Sequence, residues 1–124
     1  MRQCLKNSLL AIFFLLTPTF AIGATFLAGT EDVPLPRFLQ IDETETFAFD
    51  TDEGKLFISK GYTEQSAKQI IDFYTQTLPQ LGWTQQKDNS FVREGDTLRI
   101  TTQRARIDNH ELTSVAFQLI TKTK

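Results

Sequence analysis

Cysteine is nearly absent. The 124-residue chain carries one, Cys4, and it lies upstream of the apolar run in the first 24 residues. Everything downstream is cysteine-free, which excludes a disulfide, a thiol nucleophile and a cysteine-ligated metal there. A bacterial lipid anchor needs its cysteine just after the apolar run, so none is expected. Small exported domains often rely on disulfides; this one must be held by its apolar core alone. Histidine is also scarce. His110 is the only one, too few for a typical zinc site without cysteine. Gly-x-Gly does not occur, so there is neither a dinucleotide fingerprint nor a P-loop. No excess of positive charge exists either. Removing Arg2 and Lys6 from the 13 basic residues leaves 11 against 15 acidic ones, a net charge of −4 beyond the first 24 residues. Nucleic acid and anionic membranes favour basic surfaces, so neither is the expected partner. No internal repeat or low-complexity stretch is present.

What is present begins with a leader. Arg2 and Lys6 give a positive start, residues 8–16 (SLLAIFFLL) an apolar run, and residues 17–24 (TPTFAIGA) a breaker followed by small residues. That order is a secretory signal peptide. The run falls short of the roughly 20 apolar residues that a membrane-spanning helix needs. Cleavage is expected after Gly23 or Ala24; the first leaves Ala21 and Gly23 at the small-residue positions. The expected organisation is therefore a signal peptide over 1–23, an extended arm over 24–43 and a single α+β domain over 44–124. The expected location is periplasmic or secreted, with no transmembrane segment after cleavage. About 100 residues suffice for one domain with one core.

The arm shows no sustained period. Pro34 and Pro36 disfavour helix and predict an extended, polyproline-like course. Val33, Leu35, Phe38 and Leu39 can lay it along the core; alternatively it is a docking segment for another protein. Residues 44–49 put Phe47 and Phe49 on one face of a strand. Residues 55–62 put Leu56 and Ile58 on one face and Phe57 on the other. Residues 50–54 (DTDEG) between them make a hairpin turn. The acidic cluster Asp50, Asp52 and Glu53 lacks the ligand count of a calcium loop.

One helix follows. Thr63 is placed to cap it and Glu64 to meet the positive end of its dipole. Ala67, Ile70, Ile71, Tyr74, Leu78 and Leu81 form one apolar stripe. Pro79 disturbs the last turn and Gly82 terminates it. Strands are then expected over 83–86, 90–94, 97–104 and 112–121. The last two alternate Leu98, Ile100 and Thr102 against Arg99, Thr101 and Gln103, and Val115, Phe117 and Leu119 against Ala116, Gln118 and Ile120. One polar face per strand marks an antiparallel sheet open to water on one side. The expected fold is thus one helix on one face of an antiparallel sheet, in the order ββαββββ, with an extended N-terminal arm. Phe47, Phe49, Leu56, Ile58, Ile70, Ile71, Tyr74, Leu78, Leu81, Trp83, Leu98, Ile100, Val115, Phe117 and Leu119 are the expected core, rich in aromatic area.

Three stretches together carry a resemblance: residues 73–83 (FYTQTLPQLGW), residues 91–98 (FVREGDTL) and, before them, residues 31–35 (EDVPL). They resemble a group of small uncharacterised exported proteins of Gram-negative bacteria. The helix-to-strand segment is also similar to grip-type domains of periplasmic and outer-membrane-associated proteins. The resemblance implies an exported location and a grip-like α+β fold; it implies no activity and no site residues. Pro36-Arg37-Phe38 stands where that group leads one to expect a small Pro-Gly turn.

Catalytic patterns are weak. Asp108, His110 and Ser114 are close in sequence, but a triad is defined by geometry and no G-x-S-x-G elbow supports Ser114. Asp42, Glu43 and Glu45, or Glu94 and Asp96, would need to face each other across a cleft to act as a carboxylate pair. Arg93, Arg99, Arg104 and Arg106 could form a modest basic strip. No cofactor and no metal are expected. The expectation is an exported, non-enzymatic domain that binds a protein or other cell-envelope component. Its two candidate surfaces are the arm at Val33, Leu35 and Phe38, and the polar sheet face at Arg99, Thr101 and Gln103, with edge-strand pairing the simplest mode. The alternative is a small-ligand or lipid binder, with Tyr74 and Trp83 lining an apolar pocket between helix and sheet. Oligomeric state is not legible.

Overall fold

The structure is a computed structural model that describes residues 25–27, 30 and 32–122. The expected signal peptide and its expected cleavage sites lie outside the described residues. In chain order the elements are β1 (Thr25–Phe26), β2 (Pro34–Leu35), β3 (Gln40–Thr51), β4 (Gly54–Thr63), α1 (Ala67–Thr77), a short 3-10 turn (Leu78–Leu81), β5 (Thr84–Gln85), β6 (Ser90–Arg93), β7 (Asp96–Ile107) and β8 (His110–Lys122). β3 to β8 form a six-stranded sheet in the order β3-β4-β8-β7-β6-β5, with antiparallel neighbours throughout. β1 and β2 pair separately as two extra short strands in the arm. The domain is α+β, with one helix packed against the sheet.

Turn chemistry explains the long hairpins. Glu94 and Gly95 join β6 to β7, and Asp108 and Asn109 join β7 to β8; all four have positive φ. Two such residues in succession make the turn whose twist matches paired strands, and Asn, Asp and Gly tolerate it best. β7 and β8 therefore run on to the Ile107–His110 pair, several residues beyond the predicted strand ends.

The helix start differs from expectation. Ser66, not Thr63, is the cap: its side chain accepts from the Gln69 N–H while the Gln69 side chain accepts from the Ser66 N–H. This reciprocal pair satisfies two of the helix's free donors. The Thr63 hydroxyl instead accepts from Gln65 N–H one step earlier. At the other end, α1 gives way to the 3-10 turn at Pro79, and Gly82 closes it at φ 92°.

Ile70, Tyr74 and Leu78 on the helix meet Leu98, Ile100, Val115, Phe117 and Leu119 on the sheet, all buried. The Tyr74 ring stands edge-on to Phe117 at 5.6 Å and to Phe73 at 5.0 Å, the arrangement aromatic quadrupoles favour. The arm belongs to the same core. Leu27, Val33 and Leu39 are buried, and Leu35 packs against them. Tyr74 donates its hydroxyl to the Pro34 carbonyl at 2.9 Å, and Trp83 donates its indole N–H to the Asp32 carbonyl at 3.1 Å. The Asp32 carboxylate meets Arg93 at 2.9 Å. β3 begins at Gln40, inside the stretch expected to be arm.

Part of the expected core is not core. Phe47 and Phe49 are each 51% exposed, and Leu56 and Ile58 are half-buried. The register gives the reason. Phe57 pairs with Leu119, which pairs with Leu98, so Phe57 shares the helix-covered face. Its neighbours Leu56 and Ile58, and their partners Phe49 and Phe47, must then face the other way. Leu81 is 40% exposed, on the 3-10 turn after the helical stripe has ended.

Candidate binding surface

The helix-free face of the sheet is built in cross-strand rows. One row runs Phe49, Leu56, Ile120, Thr97 and Val92; the next runs Phe47, Ile58, Gln118 and Arg99. Below them lie Lys60, Ala116 and Thr101, then Tyr62, Ser114 and Gln103. The face is therefore divided. Its β3–β4–β8 corner is apolar, with the Phe47 and Phe49 rings stacked at 6.3 Å and Ile120 37% exposed. Its β7 side is polar, with Arg99, Thr101 and Gln103 all exposed. Arg99 takes part in none of the ion pairs among the described residues.

Below the apolar corner, on β3 and β4, sits a small polar network. Tyr62 donates its hydroxyl to Glu45 at 2.9 Å, Lys60 approaches the same carboxylate at 3.9 Å, and the Lys60 ammonium lies 5.7 Å from the Tyr62 ring centre. The bond to Glu45 raises the Tyr62 pKa above the usual tyrosine value. Next to it, the Asp42 carboxylate accepts from both the hydroxyl and the N–H of Thr44, which holds it below the usual carboxylate range.

The expected site residues separate. Arg99, Thr101 and Gln103 share one face as expected. Val33 is buried, Leu35 half-buried and Phe38 38% exposed, edge-on to Phe73 at 6.2 Å. The arm's apolar groups are thus largely used in packing. Tyr74 and Trp83 are buried, and both polar groups are bonded to arm carbonyls. They pack into the core between helix and sheet.

Grooves among the described residues lie elsewhere, two of them near the start of α1 and the β7–β8 turn. One of about 730 Å³ separates the start of α1 from β7 and β8, bordered by Ser66, Lys68, Arg104, Arg106 and Glu111. The other, about 520 Å³, is bordered by Arg37, Phe38, Tyr62, Asp108 and His110. The Asp108–His110–Ser114 triad does not assemble. His110 is exposed beside the β7–β8 turn, while the buried Ser114 donates its hydroxyl to the Gln103 carbonyl at 3.3 Å. Among the described residues no group of three His, Cys, Asp or Glu side chains is placed to hold a metal ion, and no helix is long and apolar enough to cross a membrane.

No family model, curated protein or solved structure matches this chain. Function must be argued from the surface itself.

The apolar corner was missed in the sequence because Phe47 and Phe49 look like core. A signal for it existed: β4 and β8 carry apolar residues on both faces (Leu56 and Ile58 against Phe57, Ile120 against Leu119). A helix can cover only one of them.

The two tyrosines give a direct check. Burial pushes the Tyr74 hydroxyl far above its ordinary pKa, whereas Tyr62 is accessible. A tyrosine in the unfolded chain titrates near about 10. Because the Tyr74 pKa is raised in the folded state, its contribution to stability is complete below that value and falls as pH rises beyond it. An ultraviolet titration of the folded protein should show ionisation of Tyr62 alone. Tyr74 should ionise only on alkaline unfolding. Reversible ionisation of both rings before unfolding would contradict the packing described.

Proposed function

We propose that this chain is an exported, non-enzymatic domain that binds another protein or a cell-envelope component through the helix-free face of its sheet. One observation carries the proposal: an apolar area on the exposed Ile120 and the half-buried Leu56 and Ile58 adjoins the unpaired Arg99 and its neighbours Thr101 and Gln103. An apolar area edged by polar groups is how many protein-binding surfaces are built, and arginine is enriched in them. The leader over residues 1–23 supports export. The arm is the weaker of the two expected surfaces, since its buried side chains and two of its carbonyls are committed to the domain. Nothing favours a pocket lined by Tyr74 and Trp83, since the polar groups of both are already bonded.

The test is capture from envelope extract with the exported protein carrying a C-terminal tag. The combined Arg99→Ala, Thr101→Ala and Gln103→Ala variant should lose whatever the wild type retains, with an unchanged unfolding midpoint. Leu35→Ala with Phe38→Ala should lower stability and leave capture intact. Capture that follows the arm variant and ignores the sheet variant would move the binding surface to the arm.

A further inference from the structure

Residues 45–51 (ETFAFDT) are a pseudo-palindrome. Around Ala48, Phe47 mirrors Phe49, Thr46 mirrors Asp50 and Glu45 mirrors Thr51. The stretch lies on β3, an outer strand of the sheet whose sole strand neighbour among the described residues is β4. The outer side of an edge strand presents unpaired N–H and C=O groups, able to pair with another strand. The opposite edge, β5, is only two residues long.

We propose that β3 pairs antiparallel with β3 of a second copy, Ala48 opposite Ala48, so that two six-stranded sheets become one across a twofold axis. In this register every side chain from 45 to 51 meets a compatible one. Phe47 lies opposite Phe49 of the second copy and Phe49 opposite Phe47, so four rings gather on the helix-free face. They cover the largest exposed apolar side chains of the sheet, each now 51% exposed. Aromatic cross-strand pairs are among the stabilising ones. Asp50 lies opposite Thr46, and Glu45 opposite Thr51. The carboxylates that would ordinarily protect such an edge thus face hydroxyls rather than each other. Moving the twofold axis from Ala48 to Asp50 would place Asp50 against Asp50, and like charges directly opposite are destabilising. The charges disfavour that register, and the Phe47–Phe49 pairs favour the one centred on Ala48. The irregular stretch of β3 lies between Asp42 and Phe47, so the central Phe47–Phe49 and Ala48–Ala48 pairs fall on its regular ladder, and the Thr46–Asp50 and Glu45–Thr51 pairs reach into the irregular end. An isologous contact of this kind closes on itself and does not propagate. The axis stands perpendicular to the sheet, so the helix-free faces of both copies, each with its Arg99, Thr101 and Gln103, lie side by side.

The register is tested by charge and by cross-linking. Ala48 is exposed, so its replacement leaves the core intact. Sedimentation equilibrium should give twice the single-chain mass for the wild type. Ala48→Asp and Ala48→Lys should each weaken the dimer about tenfold or more, because each places like charges on the axis. Mixing those two variants should restore a dimer containing one of each. In a Cys4→Ser background, Ala48→Cys should oxidise to a covalent dimer, since directly opposite residues lie within disulfide reach. Thr46→Cys and Asp50→Cys should cross-link only when mixed. A single-chain mass throughout, or a dimer that ignores Ala48 substitutions and lacks these cross-links, would overturn the proposal. Neither outcome depends on envelope capture, which tests the sheet face separately.

Discussion

Tyr74→Ala is expected to cost about 3–5 kcal/mol of folding stability, the range for truncating a large buried aromatic. Tyr74 is fully buried, touches Phe73 and Phe117 edge-on, and ties the arm to the helix through the Pro34 carbonyl. Domains of this kind have about 5–15 kcal/mol of stability in all, so the variant should sit near the edge of folding. Tyr74→Phe separates the two roles. It keeps the ring contacts and removes only the hydroxyl, leaving the Pro34 carbonyl without that partner, for about 1–2 kcal/mol. Urea unfolding measures both changes. Limited proteolysis should show the arm of Tyr74→Phe released before the sheet opens. If Tyr74→Phe unfolds as the wild type does, the arm is held by Val33, Leu39 and the Trp83 bond instead.

Gly54→Ala should be nearly as damaging, about 3 kcal/mol or more from steric overlap and backbone strain together. Gly54 opens β4 at φ 152°, and a Cβ there would lie 1.7 Å from the Thr121 carbonyl oxygen and 2.8 Å from its carbon. Both atoms belong to the backbone of the central strand β8, so no side chain can swing aside. The start of the β4–β8 ladder would have to open. Gly82→Ala provides the contrast. Its φ of 92° is also unfavourable for alanine, but its nearest neighbour is the flexible Arg93 side chain at 3.5 Å. That change should cost about 1 kcal/mol, from backbone conformation alone. Equal losses at the two positions by thermal unfolding would show that conformation, not contact with β8, governs Gly54.

The division between sequence and structure is clearest in particular elements. Alternation in residues 97–104 and 112–121 is local, so it correctly separated Leu98, Ile100, Val115, Phe117 and Leu119 from Arg99, Thr101 and Gln103. The stripe through Ile70, Tyr74 and Leu78 is equally local and correctly marked the helix. The strand ends were set by the Glu94-Gly95 and Asp108-Asn109 turns, whose short span let the ladders run further than apolar alternation reaches. The cap at Ser66 was hidden because Thr63, three residues earlier, offers a similar hydroxyl.

By itself the sequence determined the α+β class with one helix on an antiparallel sheet, the cysteine-free core and the polar face bearing Arg99, but not the two short strands β1 and β2 of the arm. Each follows from periodicity or from the chemistry of single residues. Only the tertiary structure decided which face of β3 and β4 the helix covers. Alternation states that Phe47 and Phe49 share a face with each other, and Leu56 with Ile58. It does not state which of the two sheet faces that is. That depends on the pairing of Phe57 with Leu119 and of Leu56 with Ile120, a contact between segments more than sixty residues apart. A one-residue slip in such a pairing reverses every side chain on the strand. The exposed phenylalanine pair and the divided helix-free face both follow from that one register.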